Sequence, residues 1–88
     1  MSYQYPISLD WKTDEIVVVV EFFNCIEIAN EKGIERDVLM NAYRKFKEIV
    51  PGKADEKKLC AQFEDQSGYS CYRTIQKARE TQKNIVKM

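Results

Sequence analysis

The segment 66–73 and the helix predicted to follow it gather the side chains that are best suited to binding. Two aromatic and two cationic residues make up this set, namely Tyr69, Tyr72, Arg73 and Lys77. The first turn of a helix leaves backbone N–H groups without intrahelical acceptors, so it attracts anions such as a phosphate or a partner's carboxylate. The alternative is conformational, with Gly68 at a positive φ, Ser70 as the helix cap and the tyrosines packed inward. We name the four side chains as a candidate partner-binding surface and keep both interpretations.

The chain contains few of the side-chain groups that enzymes usually use for catalysis. Histidine is absent, which excludes Ser-His and Cys-His catalysis and imidazole metal sites. The acids that adjoin in sequence are Asp14/Glu15, Asp55/Glu56 and Glu64/Asp65. Neighbouring side chains diverge on a helix, so these pairs do not converge on a substrate. With neither a phosphate-binding glycine loop nor metal-ligand spacing, the sequence predicts a non-enzymatic protein without catalytic residues, metal or cofactor.

The cysteines suggest a reducing compartment. Three cysteines without a CxxC motif do not form a disulfide framework, and we expect a cytoplasmic protein. Cys71 lies near a predicted helix start, where a thiol can become reactive. Because no histidine or resolving cysteine is near it in sequence, we interpret it as an inert thiol. Cys25 and Cys60 lie on apolar helix faces and are expected in the core.

Opposite charges separate along a chain whose formal net charge is zero. Asp10 to Asp37 contains eight acidic and three basic residues, whereas Val38 to Met88 contains eleven basic and six acidic residues. The two parts could attract each other or could face different partners. The net charge favours neither nucleic acid nor an anionic membrane as a partner.

Apolar spacing predicts four helices, over residues 13–32, 36–50, 53–66 and 71–83. The first contains the most apolar stretch, Ile16 to Ala29. We predict a helix there because the pattern runs for about 18 residues, too long for a strand. Thr13 can cap this helix and Gly33 can close it. Beyond about Lys83 we expect a frayed tail.

Residues 1–12 alternate between apolar and polar side chains, which predicts an extended segment. Pro6 cannot donate to a ladder, and no partner strand is evident. We expect an N-terminal arm that lies across the helices with Trp11 as its anchor; the alternative is an arm that docks on another subunit. The prediction is thus an all-α, compact bundle of about four helices in one domain, 1–88.

A helix-turn-helix arrangement is an alternative interpretation of the third and fourth helices, joined through Gly68. The recognition helix would offer Arg73, Thr74, Gln76, Lys77, Arg79 and Lys83. The usual motif has a small residue four positions before the turn glycine, whereas this chain has Glu64. Neutral net charge also predicts little attraction to phosphates. We therefore predict an unidentified protein partner, with nucleic acid as the alternative, for a chain that is a monomer or a weak homodimer.

A family resemblance covers nearly the whole chain, to about Arg79. Its stretches are YPISLDW followed by TDEI, then AYRKFKEIVPGKADEKKLC, then FEDQSGYSCYR. They resemble the uncharacterised protein family 0223, the YktA-like small proteins of low-GC Gram-positive bacteria, and QSGYS-x-YR is the most specific part. The resemblance implies a small all-helical domain and a serine at the position of Cys71. It implies no activity, because the family has no established function.

Overall fold

The chain folds around its most apolar helix, α1 (Thr13–Glu31). The structure is a computed structural model that describes residues 10–88. In chain order, the elements after α1 are β1 (Ile34–Glu35), α2 (Arg36–Ile49), α3 (Lys53–Ser67), α4 (Cys71–Glu80) and β2 (Ile85–Val86). The predicted all-α bundle of four helices is confirmed, with a short strand pair added to it.

Helix α1 is buried over most of its circumference, as its composition predicts. Its fully buried side chains are Val19, Phe22, Phe23, Ile26 and Ala29. Glu21, Asn24 and Glu31 are exposed and form a narrow polar stripe, whereas Glu27 is half-buried. Although α1 is long and apolar, no helix within residues 10–88 has both the length and the hydropathy to cross a bilayer.

The helix α1 starts at Thr13 as predicted, but its N-cap is one residue earlier than the predicted one. Thr13 is the first helical residue, and the N-cap is Lys12, whose backbone is extended. Glu15 accounts for the difference, because its Oε1 accepts a hydrogen bond from the Lys12 backbone N–H at 2.8 Å. At the other end Gly33 closes the helix as predicted, with a φ of 97° and an N–H that donates to the Ile28 carbonyl at 2.8 Å.

Stacked phenylalanines join α1 to two neighbouring helices. Phe22 stacks on Phe46 of α2 with ring centroids 4.5 Å apart. Phe23 stacks on Phe63 of α3 at 4.6 Å. All four rings are fully buried. Offset stacking of this kind adds to the free energy gained from apolar burial, so these pairs fix α2 and α3 against α1.

The C-terminal segment is a strand, and the predicted fraying is wrong. Helix α4 ends at Glu80 rather than at residue 83, and β2 pairs antiparallel with β1 in the register Ile34 with Val86. The Met88 N–H also donates to the Ala29 carbonyl, at 3.1 Å. Val86 is completely buried in the core, which explains why this segment is ordered.

Only the end of the predicted N-terminal arm can be compared with the structure. Trp11 is partly buried and packs against the core, consistent with its expected role as an anchor. Residues 1–9, which carry the rest of the arm, lie outside the described residues.

Val86→Ala should test the strand pair. Because Val86 is fully buried, losing two methyl groups should lower the free energy of unfolding by about 2 kcal/mol. The matched control is Lys87→Ala, at an exposed position, which should change stability by less than about 0.5 kcal/mol. Urea denaturation followed by circular dichroism measures both. Equal stability of the two variants would mean that the tail does not pack.

Candidate functional site

The turn before α4 has the conformation that the sequence predicts. Gly68 is left-handed, with a φ of 81°, and its N–H donates to the Glu64 carbonyl at 2.7 Å. Ser70 is the N-cap of α4, and its Oγ accepts a hydrogen bond from the Arg73 backbone N–H at 3.2 Å. The conformational interpretation therefore accounts for both Gly68 and Ser70.

Tyr69 turns away from the other candidate residues and towards α1. Its hydroxyl donates to Glu31 Oε2 at 2.7 Å, and its partly buried ring packs against the core. A tyrosine with both ends engaged contributes to the fold as well as to the surface. Tyr69 lies before the N-cap of α4, whereas Tyr72 is on the helix itself.

The remaining candidates share the outer face of α4, by which we mean Tyr72, Arg73, Gln76, Lys77 and Glu80. The other exposed residue of this helix, Arg79, lies over Tyr43 and is not counted with them. Tyr72 is 75% exposed, the largest value among the large hydrophobic residues of the structure. Arg73 and Lys77 are four positions apart, so they lie one helical turn from each other. The one ion pair within residues 10–88 joins Lys47 to Glu56, so both cations are available to a partner.

The inner face of α4 holds the helix in place by polar contacts. Thr74, completely buried, donates through Oγ1 to the Ser70 carbonyl at 2.7 Å and accepts from Asn30 Nδ2 of α1 at 3.1 Å. Nearer the end of the helix, Arg36 Nε donates to the Ala78 carbonyl at 2.7 Å. These bonds fix α4 against α1 and against the start of α2, so the outer face has one orientation.

The helix-turn-helix interpretation loses several of its base-reading candidates. Thr74 points into the core rather than outwards. The guanidinium of Arg79 lies over the Tyr43 ring, 5.7 Å from its centroid. Lys83 lies beyond the end of α4. Arg73, Gln76 and Lys77 are thus the members of that set that remain exposed on the helix without a described side-chain contact.

A polar network that the sequence did not reveal joins α2, α3 and α4. Tyr43 donates to Glu56 Oε2 at 2.9 Å, and Lys47 Nζ bonds to Glu56 Oε1 at 2.6 Å. Burial, reinforced by the hydrogen bond and charge of Glu56, raises the pKa of Tyr43 to about 12. The sequence signal was a tyrosine on the apolar face of α2, since a hydroxyl there needs a partner.

Two open grooves lie on other parts of the surface that the structure describes. One, of about 380 Å³, lies between α1 and α2 and includes Glu21, Cys25 and Lys45 in its lining. The other, of about 340 Å³, lies beside the strand pair and is lined by Arg36 and Asn84, among others. Neither is lined by a residue of the outer face of α4. No group of three metal-ligating side chains occurs in the part of the chain that the structure describes.

Four helices and a short strand pair define a small helical domain, which presents one aromatic and cationic helix face. The sequence pattern of the uncharacterised protein family (UPF0223) matches residues 2–87. The chain belongs to this family, which confirms the resemblance.

Relatives match over their whole length. The chain is 58% identical to the UPF0223 protein YktA of Bacillus subtilis over 88 residues, which cover 100% of both chains. It is also 58% identical to a UPF0223 protein of Bacillus velezensis, again with 100% of each chain covered. A UPF0223 protein of Oceanobacillus iheyensis is 51% identical, with the same full coverage. These names state a family and no activity.

Ser70→Ala and Arg73→Ala should separate the structural role of the turn from its surface. Removal of the cap at Ser70 should lower the free energy of unfolding by about 1 kcal/mol. Arg73→Ala should change it by less than about 0.5 kcal/mol, because the contact described for Arg73 uses its backbone N–H. Thermal melting of both variants checks this. A large loss for Arg73→Ala would show that its side chain supports the fold.

Tyr43→Phe should change the response of stability to alkaline pH. Because the fold favours the neutral phenol of Tyr43, whose pKa is raised to about 12, its contribution is complete below the ordinary value of about 10. That contribution disappears as the pH rises towards 12. The difference in unfolding free energy between wild type and Tyr43→Phe should therefore shrink over this range, as urea denaturation can measure. The control, Tyr72→Phe, should retain the wild-type dependence.

Proposed function

We propose that this protein is a cytoplasmic, non-enzymatic interaction module that binds an acidic protein surface through the outer face of α4. The observation that carries the proposal is the exposed Tyr72 ring beside two cations, Arg73 and Lys77, that form no ion pair within residues 10–88. Tyrosine and arginine are the residues that most often provide binding energy in protein interfaces. An exposed aromatic ring among cations therefore suits a partner with an apolar recess edged by carboxylates.

The partner's chemistry follows from these side chains. A guanidinium can hold a carboxylate through two parallel hydrogen bonds, which an ammonium cannot do. Arg73 would thus make the directional contact, and Lys77 would add attraction that depends less on geometry. Tyr72 would supply the apolar area that excludes water from both contacts.

Rigidity of α4 supports the same proposal. Thr74 and Ala78 are held by Asn30 and Arg36, so the helix does not have to be ordered when a partner binds. A preorganised surface loses less conformational entropy on association. The outer face of α4 is therefore better suited to recognition than a mobile loop with the same residues.

The cytoplasmic and non-enzymatic parts of the proposal have separate support. All three cysteines are free thiols, which fits a reducing compartment. The chain has no histidine, and burial together with the charge of Glu21 raises the pKa of the Cys25 thiol in the groove between α1 and α2, which disfavours the reactive thiolate. A protein partner is favoured over nucleic acid because Glu80 interrupts the basic face and Thr74 is buried.

A photo-cross-linking experiment tests this proposal. A photoreactive phenylalanine analogue replaces Tyr72 in the full chain, which is then irradiated in extract of the native cells. We expect one protein adduct that survives nuclease treatment. Adding the double substitution Arg73→Gln/Lys77→Gln should reduce the adduct at least about tenfold, the effect expected when two interface anchors are lost.

The matched control is Lys53→Gln/Lys57→Gln. It removes two exposed cations that are also four residues apart, but from α3, so the change in net charge is the same. The adduct should persist in this control. Equal losses in both double variants, an adduct destroyed by nuclease, or the absence of any adduct would each overturn the proposal.

A further inference from the structure

Helix α3 buries fewer side chains than any other helix within residues 10–88. Phe63 is its one buried side chain, and most of its 15 residues are exposed. Leu59 and Cys60 are only partly buried where they pack against the core. By comparison, α4 has 10 residues and buries four of them. For its length, α3 is therefore held by little apolar area.

The other elements are joined to one another by contacts that do not involve α3. The stack of Phe22 on Phe46 joins α1 to α2. Hydrogen bonds join α4 to α1, through Thr74 and Asn30, and to the start of α2, through Arg36. Strand β1 pairs directly with β2. The fold around α1 thus has its own set of contacts, to which α3 is added.

The chain is anchored in the core on both sides of α3, whereas the ends of the helix are exposed. Val50 before it and Cys71 after it are 4% and 3% exposed. Gly52, the exposed N-cap, makes no side-chain hydrogen bond to the helix. At the exposed C-cap Gly68, no described atom beyond its chain neighbours lies within 4 Å of the position that a side chain would take. The segment between the two anchors can therefore open as a loop while the anchors stay in place.

An aromatic stack and the polar network described above hold α3 against α1 and α2. The Phe63 ring stacks on Phe23 at 4.6 Å. Glu56 accepts a hydrogen bond from Tyr43 at 2.9 Å and pairs with Lys47 at 2.6 Å. The Lys47 and Glu56 side chains are both partly exposed, so water can replace these polar contacts at a moderate cost in free energy.

We propose that α3 is a lid that opens as a unit over the aromatic face of α1, while α1, α2, α4 and the strand pair remain folded. Opening separates Phe63 from Phe23 and breaks the hydrogen bond between Tyr43 and Glu56. The closed lid keeps the Phe23 ring from other molecules, and the open state presents it. Opening is independent of the partner proposed above, because the outer face of α4 is exposed while the lid is closed.

The detached lid does not remain a helix. A helix of 15 residues is marginal in water on its own. Glu64 and Asp65 lie in the last turn of α3, where the macrodipole disfavours negative charge, and no basic residue in that turn offsets them. Opening therefore frees the backbone amides of α3 to exchange with solvent, while the amides of α1 stay protected.

Hydrogen exchange on the full-length protein, followed by mass spectrometry of its peptides, tests the proposal. The conditions are chosen so that exchange follows the opening equilibrium. We expect the amides of α3 to exchange faster than those of α1. Opening of the lid exposes less surface than global unfolding, so low concentrations of urea should accelerate exchange less steeply in α3 than in α1. Equal rates and equal dependence on urea in the two helices would overturn the proposal.

Two substitutions separate opening of the lid from global unfolding. Tyr43→Phe removes a hydrogen bond that opening breaks, so exchange in α3 should accelerate about tenfold. The control Tyr72→Phe, at a position 75% exposed, should leave both helices unchanged. Val86→Ala weakens β2, which stays folded when the lid opens. Exchange in α1 should therefore accelerate roughly thirtyfold, whereas exchange in α3 should not change.

The position of Val86 makes this comparison specific. Its strand packs at the end of α1, where the Met88 N–H donates to the Ala29 carbonyl. Ala29 is six residues, or about 9 Å along the helix, from Phe23 under the lid. Equal acceleration of both helices in Val86→Ala, or an unchanged α3 in Tyr43→Phe, would overturn the proposal. The dependence on urea in wild type keeps the test valid if Val86→Ala does not fold.

Discussion

The stacking of two adjacent phenylalanines on two different helices is the contact on which the rest of the structure depends. Consecutive residues on a helix point about 100° apart, so Phe22 and Phe23 face different neighbours. Phe22 reaches Phe46 of α2, and Phe23 reaches Phe63 of α3. This arrangement requires a central helix that is apolar on more than one side, which explains why α1 has so narrow a polar stripe.

Helix α4 is held by a different kind of contact. It contributes no phenylalanine, and hydrogen bonds to Asn30 and Arg36 add to the burial of Cys71, Ile75 and Ala78. These bonds also link the acidic and basic parts of the chain. The ion pair Lys47 to Glu56 lies wholly within the basic part. The two parts therefore meet through directional bonds, and Arg73 and Lys77 are left for other contacts.

The sequence predicted those structural features that depend on interactions between residues close together in the chain. The spacing of apolar residues located the four helices, and the need for positive φ identified Gly33 and Gly68 as turn residues. One-turn spacing likewise placed Arg73 and Lys77 on one side of α4. Tyr69 precedes the N-cap of α4, so its contact with Glu31 could not be predicted from helical spacing.

Features that depend on distant residues were not predictable in the same way. A strand of two residues has no periodicity, so β1 and β2 could be recognised only through their pairing. The polar network around Tyr43 was unpredictable for the same reason, because its members are brought together by the packing of separate helices.

The strand pair has a consequence for the order of folding. Ile34 and Val86 are 52 positions apart, and a contact of that span requires closure of a long loop before it stabilises anything. The helices form from local contacts, so they precede it. An intermediate that has docked α1 and α2 but not β2 would leave the site of Val86 open and a strand edge unpaired. An unpaired strand edge beside exposed apolar surface is prone to associate with other chains, and docking of β2 covers both.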